Sequence, residues 1–243
     1  METPYLYLYL MAASFAGPFF LSFDKKVAFY KSFGSLFKSI IPVAIVFLVW
    51  DAVFTSFGFW GFNPKYISGI SLFGLPLGEY LFFIVIPFCC VFVYEVLNSY
   101  ISQDILGSWS TSISNFLMGF SASLAVIFYD KWYTVLTFGL LAALIYWHSK
   151  KNRTPWLGRF YLAYAVIALP FLAINGILTG TGLDEEVVWY NDAENIGKRI
   201  FTIPIEDFFY GMLLILAVVS MFEYFRKVER ENGPEYKISR DEF

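Results

Sequence analysis

Charge and ligand-forming side chains are scarce in this chain. Of 243 residues only 15% are charged, one is histidine and two are cysteine. The cysteines, Cys89 and Cys90, are adjacent in an apolar run, which rules out a mutual disulfide at ordinary geometry and offers no metal-ligand spacing. Both are expected to pack as small buried hydrophobes. His148 stands beside Trp147 at the end of another apolar run, where an interfacial role is expected rather than metal binding. No Lys or Arg precedes Lys25, so the opening METPYLYLYL lacks the charged start of a secretory signal peptide and is expected to remain in the mature chain. The only GxG, Gly180-Thr181-Gly182, has no strand-turn-helix setting, so no dinucleotide cofactor is expected. A net charge of -3 gives no footing for a nucleic-acid partner.

What fills the chain is apolar. Hydrophobic residues make up 58% and mean hydropathy is +0.60, against about half apolar and a quarter charged in an ordinary globular domain. Stretches near the ~20 residues that span hydrocarbon fall at 4–22, 35–55, 78–98, 112–129, 132–148, 157–178 and 204–225. The expected fold is an all-α polytopic membrane protein of about seven transmembrane helices. Its loops are too short for a soluble catalytic domain.

Lys25, Lys26 and Lys31 follow the first run, Lys150, Lys151, Arg153 and Arg159 the fifth, and Arg226, Lys227 and Arg230 the seventh. All three groups fall on one side, and cytoplasmic loops carry the excess of positive charge. The N-terminus is therefore expected outside and the C-terminus inside a cell (inner) membrane.

An internal repeat organises the chain. A shift of 128 residues lays Asn63 on Asn191, Gly69 on Gly197, Pro76 on Pro204, Glu79 on Asp207 and Glu95 on Glu223. Trp50-Asp51 through Thr55 match Ile174-Asn175 through Thr179 at 124, which implies a four-residue insertion in the second loop. The expected organisation is a three-helix repeat over 1–100, a linker helix over 101–130, a second, parallel repeat over 131–230 and a polar tail over 231–243. Parallel repeats of this kind hold functional sites between them.

Asp51, Asn175, Glu79, Glu206 and Asp207 cluster by this reading at the outer ends of helices. Glu95 and Glu223 lie sixteen residues deeper, about 24 Å along a helix, and suit the inner interface. Acidic residues also cap helix N-termini, and Pro204 before Glu206 and Asp207 has that form. As a set, however, ionisable groups at membrane depth are costly and usually face a bundle interior.

The stretches SFDKKVAFY, FLVWDAVFTSFGFWGFNPKYISGI, LPLGEYLFFIVIPFCCVFVYEVLN and IGKRIFTIPIEDFFYGM resemble the integral-membrane lycopene cyclases of the fused heterodimeric type. These are found in bacteria and, as part of larger enzymes, in fungi. The resemblance covers nearly the whole chain. Its most specific part is the Pro-x-acidic-acidic element opening the third and seventh helices, set against the Trp-Asp that ends the second. One departure is Gly78, which stands where the family usually has a second acid.

The resemblance implies redox-neutral cyclisation of the acyclic ψ ends of lycopene to ionone rings, most naturally β. A carboxylic acid protonates a terminal alkene, a neighbouring double bond attacks the carbocation to close the ring, and a base removes a proton. Glu206 or Asp207 is the expected acid. Glu79 is expected as base or cation stabiliser, and Asp51, Asn63, Asn175 and Asn191 orient them. Trp60, Phe83, Phe208 and Tyr210 are expected to face the cation and substrate. No cofactor and no metal are implied. The partners are a carotenoid and the lipid bilayer, and the oligomeric state is not set.

Two other classes share these features. A retinal pigment needs a lysine in the last helix, and 204–225 contains none. A small transporter would use the same inter-repeat acids as an ion site, and a longer carotenoid would suit the same cyclase chemistry.

Overall fold

The computed structural model describes residues 3–232, so most of the polar tail expected from 231 lies outside the described residues. Among them are seven α-helices: α1 (Leu6–Leu21), α2 (Phe33–Ser56), α3 (Leu77–Tyr100), α4 (Ser110–Ile127), α5 (Trp132–Tyr146), α6 (Leu157–Leu178) and α7 (Ile205–Glu231). Every boundary falls within two residues of the apolar run that predicts it, except that α7 continues six residues further. Helices dominate because in hydrocarbon each backbone N–H and C=O must find an internal partner.

Of these, α2, α3, α4, α6 and α7 are long and apolar enough to cross a membrane unaided. The α1 helix has only 16 residues. The α5 helix has 15, but a π-helical turn over Trp147–Lys151 carries it on, to about 30 Å at 1.5 Å per residue.

Among the described residues six short strands, which the hydropathy pattern does not announce, gather at one end of the bundle. They are β1 (Trp60–Phe62), β2 (Ser71–Leu72), β3 (Leu75–Pro76), β4 (Val188–Tyr190), β5 (Arg199–Ile200) and β6 (Ile203–Pro204). The hairpins β2–β3 and β5–β6 lead directly into α3 and α7. Phe73 and Phe201 sit at their tips with φ of 51° and 57°, a conformation rare for bulky side chains. Its recurrence 128 residues apart marks a true structural repeat.

Across the two halves β1 pairs antiparallel with β4, and the central pair is Gly61 with Trp189, its own counterpart at the 128-residue shift. The pseudo-twofold axis therefore passes through that pair. A Cβ on Gly61 would lie 2.4 Å from the Trp189 indole, so any side chain there would have to displace that ring. The inserted residues sit after α6: Phe59 N–H bonds Phe54 O, and Val187 N–H bonds Leu178 O. The first pair maps onto the second with shifts of 128 and 124, a difference of four.

The two halves pack differently. Helix α2 packs on both α3 and α7, whereas α6 packs on α3 and meets α7 only lightly. Helix α4 packs on α5 and has only Ser114 and Ser121 buried; Phe116, Val126 and Ile127 point outward. Far from the strands, Arg226 pairs with Glu95 at 2.6 Å, and Tyr94 donates to Glu223 at 2.8 Å. The two deeper acids thus tie α3 to α7. His148, expected at the interface, is buried and bridges Thr154 at 2.9 Å and Ser220 at 2.7 Å, locking the α5–α6 turn onto α7.

Candidate active site

Beneath the β1–β4 strands lies a cavity of about 360 Å³. Its head is polar, with Tyr7, Asp51, Trp60, Glu79, Tyr133, Asn175, Tyr190 and Asp207 around it. Below, it runs as an apolar lane past Phe82, Phe83 and Ile86 of α3, Ile167, Phe171 and Ile174 of α6, and Gly211 and Leu214 of α7.

Asp207 opens the first turn of α7 and is 5% exposed. Three donors reach its carboxyl: Tyr133 hydroxyl at 2.7 Å, Asn175 Nδ2 at 2.8 Å and Tyr190 hydroxyl at 2.9 Å. A hydrogen bond to a charged group contributes about 1.5–3 kcal/mol, so three together offset much of the cost of burying an anion. Desolvation, with Asp207 alongside, pushes the Tyr190 hydroxyl well above its ordinary value and keeps it a donor.

The first repeat builds a different arrangement at the equivalent place. Tyr7, the counterpart of Tyr133, donates to Glu79, and Trp60 Nε1 donates to Asp51. Asp51 and Glu79 both line the cavity head, and no N–H or O–H reaches Asp51 Oδ2. Carboxylate oxygens only accept, so a direct hydrogen bond between these two carboxyls would require a proton on one of them. In the second repeat Asn175 replaces Asp51 and donates a permanent N–H.

Of the residues singled out in the sequence, Asp51, Glu79, Asp207, Asn175, Trp60, Phe83 and Tyr210 line this cavity. The others lie elsewhere. Glu206 is fully buried and turned away: its Oε1 accepts from Thr134 Oγ1 at 2.6 Å and from Ile196 N–H at 2.7 Å, which pins the loop before α7. Asn63 accepts from Lys65 N–H and donates to Glu185, while Asn191 accepts from Ala193 N–H; both hold turns outside the cavity. Phe208 packs its ring on Phe171 at 4.8 Å and gives its carbonyl to the Tyr164 hydroxyl. The cysteines are not simply core, since both touch the lane.

At Gly78, a Cβ would meet the Tyr7 ring at 2.5 Å. The Tyr7 side chain occupies the room that a second acid there would need.

Sequence reasoning missed Tyr7, Tyr133 and Tyr190. Tyr7 and Tyr133 match at a shift of 126, a signal in the first and fifth helices that the 128-residue register hides. Tyr190 comes in only through the β1–β4 pairing.

No curated protein and no solved structure matches the chain. The family model described as lycopene cyclase matches it twice, over residues 4–97 and 130–225. Each match takes in three helices and the hairpin that opens the last, so both halves of the cavity head fall inside matched sequence. The chain thus belongs to the lycopene cyclase family, as a membrane protein carrying the cyclase unit in duplicate.

Proposed function

We propose that this chain closes the acyclic ψ ends of lycopene to β rings by proton transfer alone, with the Asp51–Glu79 pair as acid and Asp207 as base. The observation that carries this reading is the asymmetry of the cavity head. Two carboxyls, one with an oxygen that no donor reaches, share the head with a carboxylate held by three donors, in a site lined mostly by aromatic and aliphatic groups. On this reading the pair holds one shared proton.

The terminal alkene takes the shared proton, and the tertiary cation formed is attacked by the next double bond in reach, closing the six-membered ring. The cation then moves to a ring carbon, and Asp207 takes a proton from its neighbour. No electron enters or leaves. Trp60, Tyr133, Tyr190 and Tyr210 offer ring faces to the cation, and the apolar walls keep out competing water. Asp207 stands one helical turn from Gly211 on the lane wall, which favours the carbon that carries the polyene as the one it deprotonates; loss of that carbon's proton gives a β ring. The acid and base roles are the reverse of those expected from the sequence.

The repeats over 1–100 and 131–230, joined by 101–130, supply one half of the head each. The basic groups after α1, α5 and α7 support an outer N-terminus, with the carboxylates in the outer leaflet. Expression in a lycopene-producing host, with the pigment identified, tests the activity. Cyclic β-ended carotenoid is expected; unchanged lycopene beside well-expressed, membrane-inserted protein overturns it.

A further inference from the structure

Twofold repetition of the helices ought to give two apolar approaches to the carboxylates, one on each side of the axis. The structure has an open lane on one side. There, Phe171 and Ile174 of α6 face Phe82 of α3 across the cavity. The residues that correspond to Phe171 and Ile174 at the 124-residue shift are Phe47 and Trp50. Their rings meet Tyr210, the counterpart of Phe82, at 5.2 Å each, and α2 lies tight along α3. The second approach is filled.

The open lane runs from Glu79 to Val93 along α3, fourteen residues or about 21 Å. Its far end is not sealed. Helices α1 and α6 are only lightly joined, Pro170 is exposed and Pro18 half-exposed between them, and both prolines line the lane. The ring of Pro18 denies Ser14 O its helical partner, and Cys89 Sγ supplies a substitute at 3.3 Å, joining α1 to α3 on the opposite wall and leaving the α1–α6 side open.

Resting on the cyclase reading above, we propose that substrate enters sideways from the bilayer between α1 and α6, acyclic end first, and that its far end stays in lipid. The enzyme then recognises one acyclic end and is indifferent to the other. Beyond the one-ring compound that any stepwise closure of both ends passes through, its substrate class then extends to carotenoids whose opposite end carries a hydroxyl. Ile174 is the residue that keeps the lane open, since its counterpart Trp50 closes the equivalent one.

Purified protein in phospholipid vesicles is given lycopene, a carotenoid with one ring already closed, and one with a hydroxylated far end. The kcat/KM for closing the free ψ end is expected to agree among the three within a few-fold, because a pocket that touched the far end would discriminate by about tenfold or more per altered group. Ile174→Trp is expected to raise KM by about tenfold or more with kcat largely retained, and Ile174→Phe to do so less. Lycopene left untouched by the wild type removes the cyclase reading itself. Cyclised lycopene with strong far-end discrimination, or a folded Ile174→Trp protein of unchanged KM, overturns the lane alone. Should the tryptophan variant not fold, the Ile174→Phe protein and the three-substrate series decide.

Discussion

Asp51 and Asn175 occupy equivalent places in the two repeats: Asn175 donates to Asp207, the acid that opens α7, and Asp51 lines the same cavity head as Glu79, the acid that opens α3. One atom separates their chemistry. The carboxamide always presents an N–H, whereas the carboxyl presents a donor only when protonated. In the proposed mechanism the duplicated scaffold thereby serves as proton donor on one side and proton acceptor on the other.

Asp51→Asn makes the first repeat like the second. Glu79 then receives a permanent N–H, and the shared proton has no reason to stay. Cyclisation is expected to fall by about 10²-fold or more, the range that general acids contribute, while thermal unfolding of the detergent-solubilised protein changes little. Turnover near the wild-type level in a folded Asp51→Asn protein would falsify the acid assignment.

Asp207→Asn removes the base and is expected to cost roughly 10² to 10⁴ in rate. Tyr133→Phe and Tyr190→Phe each take away one donor to Asp207 and should be milder, near tenfold each on the scale of one charge-assisted hydrogen bond. Lycopene remaining in a producing host gives the ranking. If both tyrosine variants proved more damaging than Asp207→Asn, the carboxylate would not be the proton acceptor.

Glu206→Gln is expected to retain activity within a few-fold, since its oxygen can still accept from Thr134 and Ile196. Glu206→Ala leaves both donors unpartnered and should lower stability by about 1–3 kcal/mol. A Glu206→Gln protein that is folded yet inactive would return this residue to the chemistry.

Glu95→Gln and Glu223→Gln act at the other end of α3 and α7. Weakening the contacts with Arg226 and Tyr94 should lower the melting temperature while kcat/KM for lycopene stays near normal. Loss of turnover without loss of stability would contradict a structural role.

Sidedness is open to direct labelling. A cysteine replacing Asp184, beside the strands, should react with an impermeant reagent from outside, and one replacing Lys151 should not. The opposite pattern would put the carboxylates in the inner leaflet.

The sequence by itself determined the helices, because runs of apolar residues of bilayer length leave the backbone no other way to satisfy its hydrogen bonds. It also determined the repeat and its register, since Asn63, Gly69 and Pro76 recur at turns where few other residues fit. The acids Asp51, Glu79 and Asp207 were legible because carboxyls are rare at such depth. Tertiary structure alone decided which way each acid faces. Glu206 and Asp207 are neighbours in the chain, but successive residues of a helix point about 100° apart, so one meets the cavity and the other a loop. Tertiary structure also decided that one lane is open and its twin filled, because that rests on how α6 and α2 lean against α7 and α3, a matter of packing between segments that no local pattern records.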